Sequence, residues 1–586
     1  MALLQTSKTR AEPYDAIVVG SGAAGGIAAY VLAKAGAKVL MLEAGRNYDP
    51  AKETPMFQSN ADAPLRNAGT PQKPRGYFDA TIGGWVVKGE PYLVQNRKSG
   101  EWMEGAVADR MNTVQNFMWW RARMLGGRTN HWGRVSLRMG PLDFKPRSTD
   151  GLGFDWPISY EDVAPYYDKV EQIVGIFGSK ENLENNPDSD YFLPPPKPRA
   201  YELLLARGAK KMGWPAIPAR MAILTKPFNG RSQCLYATSC ARGCSVRANF
   251  QSTTVLLPPA LDTGNLDILP NAMASRVTFE GRGRADAIIY IHKTTGEEKR
   301  ANGKAVILAA SACETARILL NTRPANFPNG LGNSSGHLGR WLTDSTGSDL
   351  SGQIPALENM PLHNEDGVST MHLYIPWTPD RQKIASKLGV PRGFYMEWSG
   401  GREMPGLNPP LEFVGDAYGS KLKREARRYF GSFVNILARG EMIPNEQSYC
   451  EIDPERKDRW GIPILRFHFQ RGEAELKQAA YMQQAFAEII EASGGRVIGE
   501  PIRDGAKAIT AGGSVNHEMG VTRMSSRAED GVTNSYGQLW DCPNVVVADG
   551  GVFVSSPFKT PTLTIMALAW RACEHLLDVS KKGELG

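Results

Sequence analysis

Apolar runs, glycine turns and alternating stretches follow one another along the chain at spacings that predict elements before any chemistry is considered. Residues 14–19 are a short apolar run, residues 20–25 read G-x-G-x-x-G, and residues 27–35 are rich in Ala, Leu and Val. That order predicts a buried strand, a tight turn and a helix, and residues 38–42 predict a second strand ending at Glu43. Residues 305–310, with a helix beginning near Glu314, predict another strand–helix unit, and residues 545–548 and 563–578 a late strand and a terminal helix. Between 345 and 505 the runs 371–375, 430–437 and 464–469 alternate, as half-buried antiparallel strands roofing a site do, and 471–493 has helical character. Ser159 with Asp162 three residues on predicts an N-cap for a helix over 163–174. The prolines at 194–196 and 198 make 182–199 an exposed connector, and the Gly, Pro and aromatic residues of 71–96 predict loop and short strands.

The first glycine motif has a chemical reading. Gly20 permits the turn, Gly22 lets backbone approach a pyrophosphate, Gly25 allows close helix–strand packing, and Glu43 is spaced to meet the ribose hydroxyls of a dinucleotide. At 586 residues and 42% hydrophobic, the chain can bury more than one core. A formal net charge of +7 is small for this length, and no basic–aromatic array stands out, which argues against a nucleic-acid partner. The densest cationic run, 421–428, predicts a solvated helix face. No apolar run approaches the ~18 to 20 residues that span a bilayer. Residues 1–12 lack an apolar core and a twin-arginine pair, which predicts no export signal within them.

Seven cysteines are too few for a disulfide framework at this size. Three of them, Cys234, Cys240 and Cys244, form C-x5-C-x3-C beside Arg231, Arg242 and Arg247. Thiolates at close spacing on a loop suit an iron–sulfur cluster or zinc, although zinc asks for a fourth ligand; three free thiols, or a disulfide plus one, are the alternatives. Cys313, Cys450, Cys542 and Cys573 read as single structural residues among apolar neighbours.

Asn516-His517-Glu518-Met519-Gly520, with Arg523 and Met524 following, then Asp549-Gly550-Gly551 and the segment from Pro557 to Thr564, resemble the C-terminal signature of the glucose–methanol–choline (GMC) flavoprotein oxidoreductases. The resemblance implies an α/β fold: a Rossmann-like FAD-binding domain and an α+β substrate domain built on an antiparallel sheet. It implies His517 as the base that takes an alcohol proton while FAD takes the hydride. Gly126, Gly127 and Asn130, in Leu125-Gly126-Gly127-Arg128-Thr129-Asn130-His131-Trp132, resemble the loop that family members lay against the flavin. His131 occupies the position joined covalently to the flavin in some members. Ser275-Arg276-Val277 resembles the segment whose Val277-equivalent backbone meets adenine, and Asp549 and Gly550 belong to the flavin site. Where the family places His or Asn before Pro-x-Leu-Thr, this chain has Thr560; either Asn516 or a nearby group supplies the missing bond, or activity is lower or the substrate set narrower, or Thr560 itself anchors the hydroxyl.

The cysteine spacing is similar to that of bacterial sugar dehydrogenases in the same family, which implies a [3Fe-4S] cluster on Cys234, Cys240 and Cys244. Division of the chain follows the motifs: FAD domain at 12–145, a cap segment at 146–228, the cysteine segment with more FAD domain at 229–344, the substrate domain at 345–505, and the last FAD segment at 506–586. The expected function is an FAD-dependent dehydrogenase oxidising a secondary hydroxyl of a sugar or glycoside, at C3 by resemblance to glycoside 3-dehydrogenases. Electrons would leave through the cluster to cytochrome c or a quinone. A small subunit bearing an export signal would carry the chain to the periplasm; a cytoplasmic chain is the alternative. A GMC oxidase using O2 and a non-catalytic flavin-binding subunit remain open at this point.

Overall fold

The computed structural model describes residues 9–10, 12–47, 83–85, 87–105, 114–236, 240, 244, 246–279, 283–361, 371–402 and 411–583. Half of the stretch 71–96 therefore lies outside the described residues. Its centre is a five-stranded parallel sheet in the order Val545–Val547, Val306–Leu308, Ala16–Val19, Val39–Leu42, Leu266–Leu269. Each of the first four is a short apolar run with no polar alternation, as a sheet covered on both faces requires. Five strands drawn from three distant parts of the chain thus make one dinucleotide-type sheet. Helices Ala23–Lys34 and Thr562–Lys581 pack on each other, and Tyr160–Val174 packs on the second. Ser159 N–H donates to Asp162 Oδ2 at 2.8 Å, so the capping box predicted from sequence is formed.

The second layer is a six-stranded antiparallel sheet in the order Arg496–Val497, Thr346–Gln353, Phe433–Gly440, Phe394–Gly400, Leu373–Ile375, Ile217–Pro218. Alternation along Phe433–Gly440 sorts its side chains: Val434, Ile436 and Ala438 enter a core with Met482, Phe486 and Ile489 of helix Glu473–Ala492. The opposite face looks toward the parallel sheet. No helix among the described residues is long and apolar enough to cross a membrane.

Three expectations are corrected. The alternating run at 464–469 does not join the roof: Pro463–His468 pairs with Tyr449–Lys457 and, in parallel, with Leu93–Gln95, in a separate four-stranded sheet. Period-two patterning marks a strand with one covered face but says nothing about which sheet supplies the cover. The connector at 182–199 is not wholly exposed, because the buried Arg220 guanidinium donates to the carbonyls of Asn186 and Pro187 and pairs with Asp188. Nor are all four remaining cysteines solitary. The buried Cys313 thiol, on helix Ala312–Asn321, stands near enough the Cys450 thiol on strand Tyr449–Lys457 for that neighbour, after burial, to help raise its pKa. The cationic run lies on helix Gly419–Tyr429 with Lys421, Lys423, Arg424 and Arg427 on it, while Arg428 pairs with Glu358.

Candidate active site

One cavity of about 450 Å³ runs from the first glycine turn to the underside of the antiparallel sheet. At one end lie Gly20, Gly22 and Glu43; at the other lie Asn516, His517 and Thr560.

The dinucleotide end follows from local sequence. Gly20 has φ +100°, and a Cβ there would stand 2.4 Å from the carbonyl oxygen of Ala309, so only glycine lets the turn pass beneath the neighbouring strand. A Cβ at Gly25 would lie 1.9 Å from the Gly20 carbonyl oxygen, which explains the third glycine as a packing residue. Gly22 differs: a Cβ there would meet nothing within 4 Å, and it would point into open space of the cavity it lines. Helix Ala23–Lys34 begins at Gly22 with no side-chain cap and no acid in its first turn, so its first N–H groups remain available to an anion. Glu43, buried at the end of its strand, accepts from Gly45 N–H at 2.7 Å and from the Ser21 hydroxyl. Burial raises its pKa. Ser21 Oγ in turn accepts from Gly126 N–H at 2.8 Å, tying the second glycine loop to the first. A cradle without side chains, an open helix N-terminus and a carboxylate in the cavity wall fit the pyrophosphate and ribose of FAD.

In the Gly126–Gly127 loop, Gly127 and His131 line the cavity, with His131 edge-on to Trp120 at 5.9 Å between ring centroids. Asn130 is fully buried and donates to the carbonyls of Leu125 and Gly127, so it braces the loop rather than facing the cavity. Val277 does not line the cavity: its N–H donates to Thr322 Oγ1 at 3.0 Å, and Ala272, Met273 and Ala274 of the same strand form the wall instead. Asp549 and Gly550 both line it, with Asp549 accepting from Gly551 N–H and Thr315 Oγ1; burial lifts its carboxyl to about 6.

At the other end, His517 is held from behind. Residues 343 and 519 form an antiparallel bridge, which lays Asp344 and Ser345 beside His517. Asp344 Oδ1 accepts the His517 N–H at 2.8 Å, and Ser345 Oγ stands 3.0 Å from Nδ1. Arg471, itself fully buried, donates to the carbonyls of Asp344 and Ser345 and stiffens that segment. With Nδ1 engaged, Nε2 is the ring nitrogen left for the cavity. Burial first, then the charges of Arg439 and Arg128, lower the His517 pKa to about 3. The ring is therefore neutral, as a proton acceptor must be. Flavin reduction by substrate should accordingly stay level as pH falls through about 6.5, the ordinary imidazole value; an acid limb centred there in anaerobic pH profiles would show an unshifted ring.

Asn516 adopts φ +63°, and its Oδ1 is buried without a hydrogen-bond partner among the described residues. Thr560 Oγ1 donates to the Val135 carbonyl at 2.8 Å. Its only proton is thus spent within the protein, and toward a ligand it can only accept. The segment carrying it is pinned by a buried ion pair between Lys559 and Asp143, 2.5 Å apart. Asp344, Ser345, Arg439 and Asp143 carry no sequence signal: Ser345 and His517 are 172 residues apart, and nothing local marks either as the other's partner.

Cys240 and Cys244 are buried and Cys234 half-buried; Cys240 lies in a core cluster against which Cys234 packs. Cys244 Sγ accepts from Ala248 N–H at 3.2 Å and Cys234 Sγ from Tyr236 N–H at 3.4 Å. Burial, with the neighbouring Cys240, raises the Cys244 pKa. Among the described residues, no three Cys, His, Asp or Glu side chains gather into a metal-ligating set.

Family models described as GMC oxidoreductase match residues 14–345 and 444–569. The chain belongs to the GMC oxidoreductases, and is an FAD-dependent oxidoreductase acting on CH–OH groups. It is 28% identical to 2-methyl-1,2-propanediol dehydrogenase of Mycolicibacterium austroafricanum, over 97% of this chain and 96% of that one. Its identity to the fructose dehydrogenase large subunit of Gluconobacter japonicus is 26%, over 97% and 98%. In fold it matches a mutant form of formate oxidase from Aspergillus oryzae, with a TM-score of 0.63 at 13% identity, over 99% of this chain and all of that one.

Proposed function

We propose that the chain is the catalytic unit of a dehydrogenase that oxidises a secondary hydroxyl of a sugar or glycoside, at C3, to the keto product. The observation that carries the reading is the neutral His517 ring, its Nδ1 engaged by Ser345, in the same cavity as the FAD cradle. FAD, when bound, supplies the hydride acceptor. The protein's own part is to bring a substrate hydroxyl to His517 Nε2, which takes the proton as the carbon–hydrogen bond weakens. Asn516 Oδ1, without a partner among the described residues, and the lone pairs of Thr560 Oγ1 are placed to accept from neighbouring substrate hydroxyls. In this reading the hydroxyl-anchoring work is shared by Asn516 and Thr560. The likeness to the fructose dehydrogenase large subunit supports a sugar as substrate.

In this proposal Cys234, Cys240 and Cys244 would hold a [3Fe-4S] cluster, which would supply an electron exit toward a small subunit and then cytochrome c or a quinone, with the complex in the periplasm. The thiols that accept backbone N–H groups, and the buried Arg231 whose charge is favoured by Cys244, support it. The described residues assemble no ligand set there, so no catalytic step is routed through the cluster. The likeness to paromamine 6'-oxidase of Streptomyces fradiae, 24% identical over 96% of this chain, supports a second reading, an oxidase passing electrons to O2. Anaerobically purified protein is expected to show flavin bands with broad iron–sulfur absorption and an electron paramagnetic resonance signal, and Cys240→Ser to lose iron while keeping flavin. Protein free of iron, with flavin that reoxidises rapidly in air after reduction by a glycoside, would select the oxidase.

A further inference from the structure

One charged group at the substrate end of the cavity is not explained by the reaction. Arg439 lies on strand Phe433–Gly440, opposite Tyr395 on one side and Gly347 on the other. Its odd-numbered neighbour Leu437 lines the cavity with it, while Ile436 and Ala438 point away into the core. A Cβ on Gly347 would stand 3.3 Å from Arg439 Nη1, so the glycine leaves room for the guanidinium.

The other arginines lining the cavity each have a hydrogen-bond or ion-pair partner within the protein. Arg123 pairs with Glu90 and Glu314, Arg121 donates to the Glu90 carbonyl, Arg128 pairs with Glu518 at 2.5 Å, and Arg134 donates to the carbonyls of Trp132 and Asn130. The Arg439 guanidinium has no hydrogen bond or ion pair among the described residues. The one carboxylate of the roof that lines the cavity, Glu397, accepts the Tyr395 hydroxyl and forms no ion pair with it. Arg439 nevertheless stands close enough to His517 to be the second cause, after burial, of that ring's depressed pKa. A half-buried guanidinium without a counter-ion is costly, and its planar fork is matched by a carboxylate.

We propose that the substrate is a sugar acid, and that Arg439 binds its carboxylate while a ring hydroxyl meets His517. The proposal rests on the reading of His517 as the base of an alcohol oxidation. It makes Arg439 a specificity-determining residue, for the guanidinium discriminates by charge. A neutral sugar bridged by its hydroxyls between Arg439 and Glu397 is the competing occupant, and it predicts equal affinity for an acid and its amide.

The test uses the FAD-loaded protein and a matched pair of probes, D-glucuronate and D-glucuronamide, of nearly equal size and differing in charge. Isothermal titration calorimetry on the oxidised protein should show the acid binding about 10- to 100-fold tighter than the amide, the worth of a charged hydrogen-bonded pair. In Arg439→Met that ratio should fall to about one, and Arg439→Lys should retain part of it; FAD content and circular dichroism report whether each variant has folded. Equal binding of acid and amide by the wild type overturns the proposal without needing any variant, as does a preference that survives in folded Arg439→Met. Stopped-flow reduction by the same pair and by methyl glucosides separates the remaining cases. A charge-selective site with no flavin reduction by any alcohol would remove the His517 reading and leave an anion site at Arg439. Reduction by neutral and acidic sugars alike, slowed equally in Arg439→Met, would place Arg439 at the reacting oxygen and overturn the sugar-acid assignment while the dehydrogenase reading stands.

Discussion

His517→Ala is expected to retain FAD and to be reduced by substrate about 10² to 10⁴ times more slowly than the wild type, the range that a positioned general base contributes. FAD should stay because its cradle, Gly20, Gly22 and Glu43, lies at the far end of the cavity. The loop should stay because what anchors it is backbone: the N–H of residue 517 on Asp344 Oδ1 and the bridge between residues 343 and 519 survive loss of the ring. What disappears is the neutral imidazole, so the defect should fall on the rate of flavin reduction rather than on cofactor content. Anaerobic stopped-flow reduction, scanned over glucosides, galactosides and free sugars, measures it alongside flavin per polypeptide. An unchanged reduction rate would sink His517 as the base.

Gly22→Val should separate binding from folding in the opposite sense. Since a Cβ at residue 22 meets no atom within 4 Å, the substitution should leave the strand–turn–helix unit in place. The branched side chain would occupy the space beside the open N-terminus of helix Ala23–Lys34, where the pyrophosphate is expected, and FAD affinity should fall by about 100-fold. Gly20→Ala provides the contrast. Its Cβ would collide with the Ala309 carbonyl at 2.4 Å, and φ +100° is strained for alanine, so it should cost about 3 kcal/mol or more of stability. Thermal unfolding and flavin content of the two variants distinguish them: a stable Gly20→Ala, or a fully flavinated Gly22→Val, would contradict the division of labour between the two glycines.

What the amino-acid sequence determined by itself is the part of this protein whose causes are local. A buried strand, a turn that excludes side chains and a helix with an uncapped start are written within about thirty residues, and the same holds for the Ser159 cap and for the two long helices at Glu473–Ala492 and Thr562–Lys581. The motif around His517 named the ring but not its environment. The tertiary structure alone decided that Ser345 and Asp344 stand behind that ring, that Thr560 gives its proton to Val135, that Val277 turns from the cavity, and that Cys313 meets Cys450. It also decided that Arg439 is left unpaired among the described residues, and that Pro463–His468 belongs to another sheet. The physical reason is common to all of these: a hydrogen bond or an ion pair is short in space, while its partners here lie from about 45 to over 400 residues apart, and no periodicity within an element encodes which distant surface will cover it.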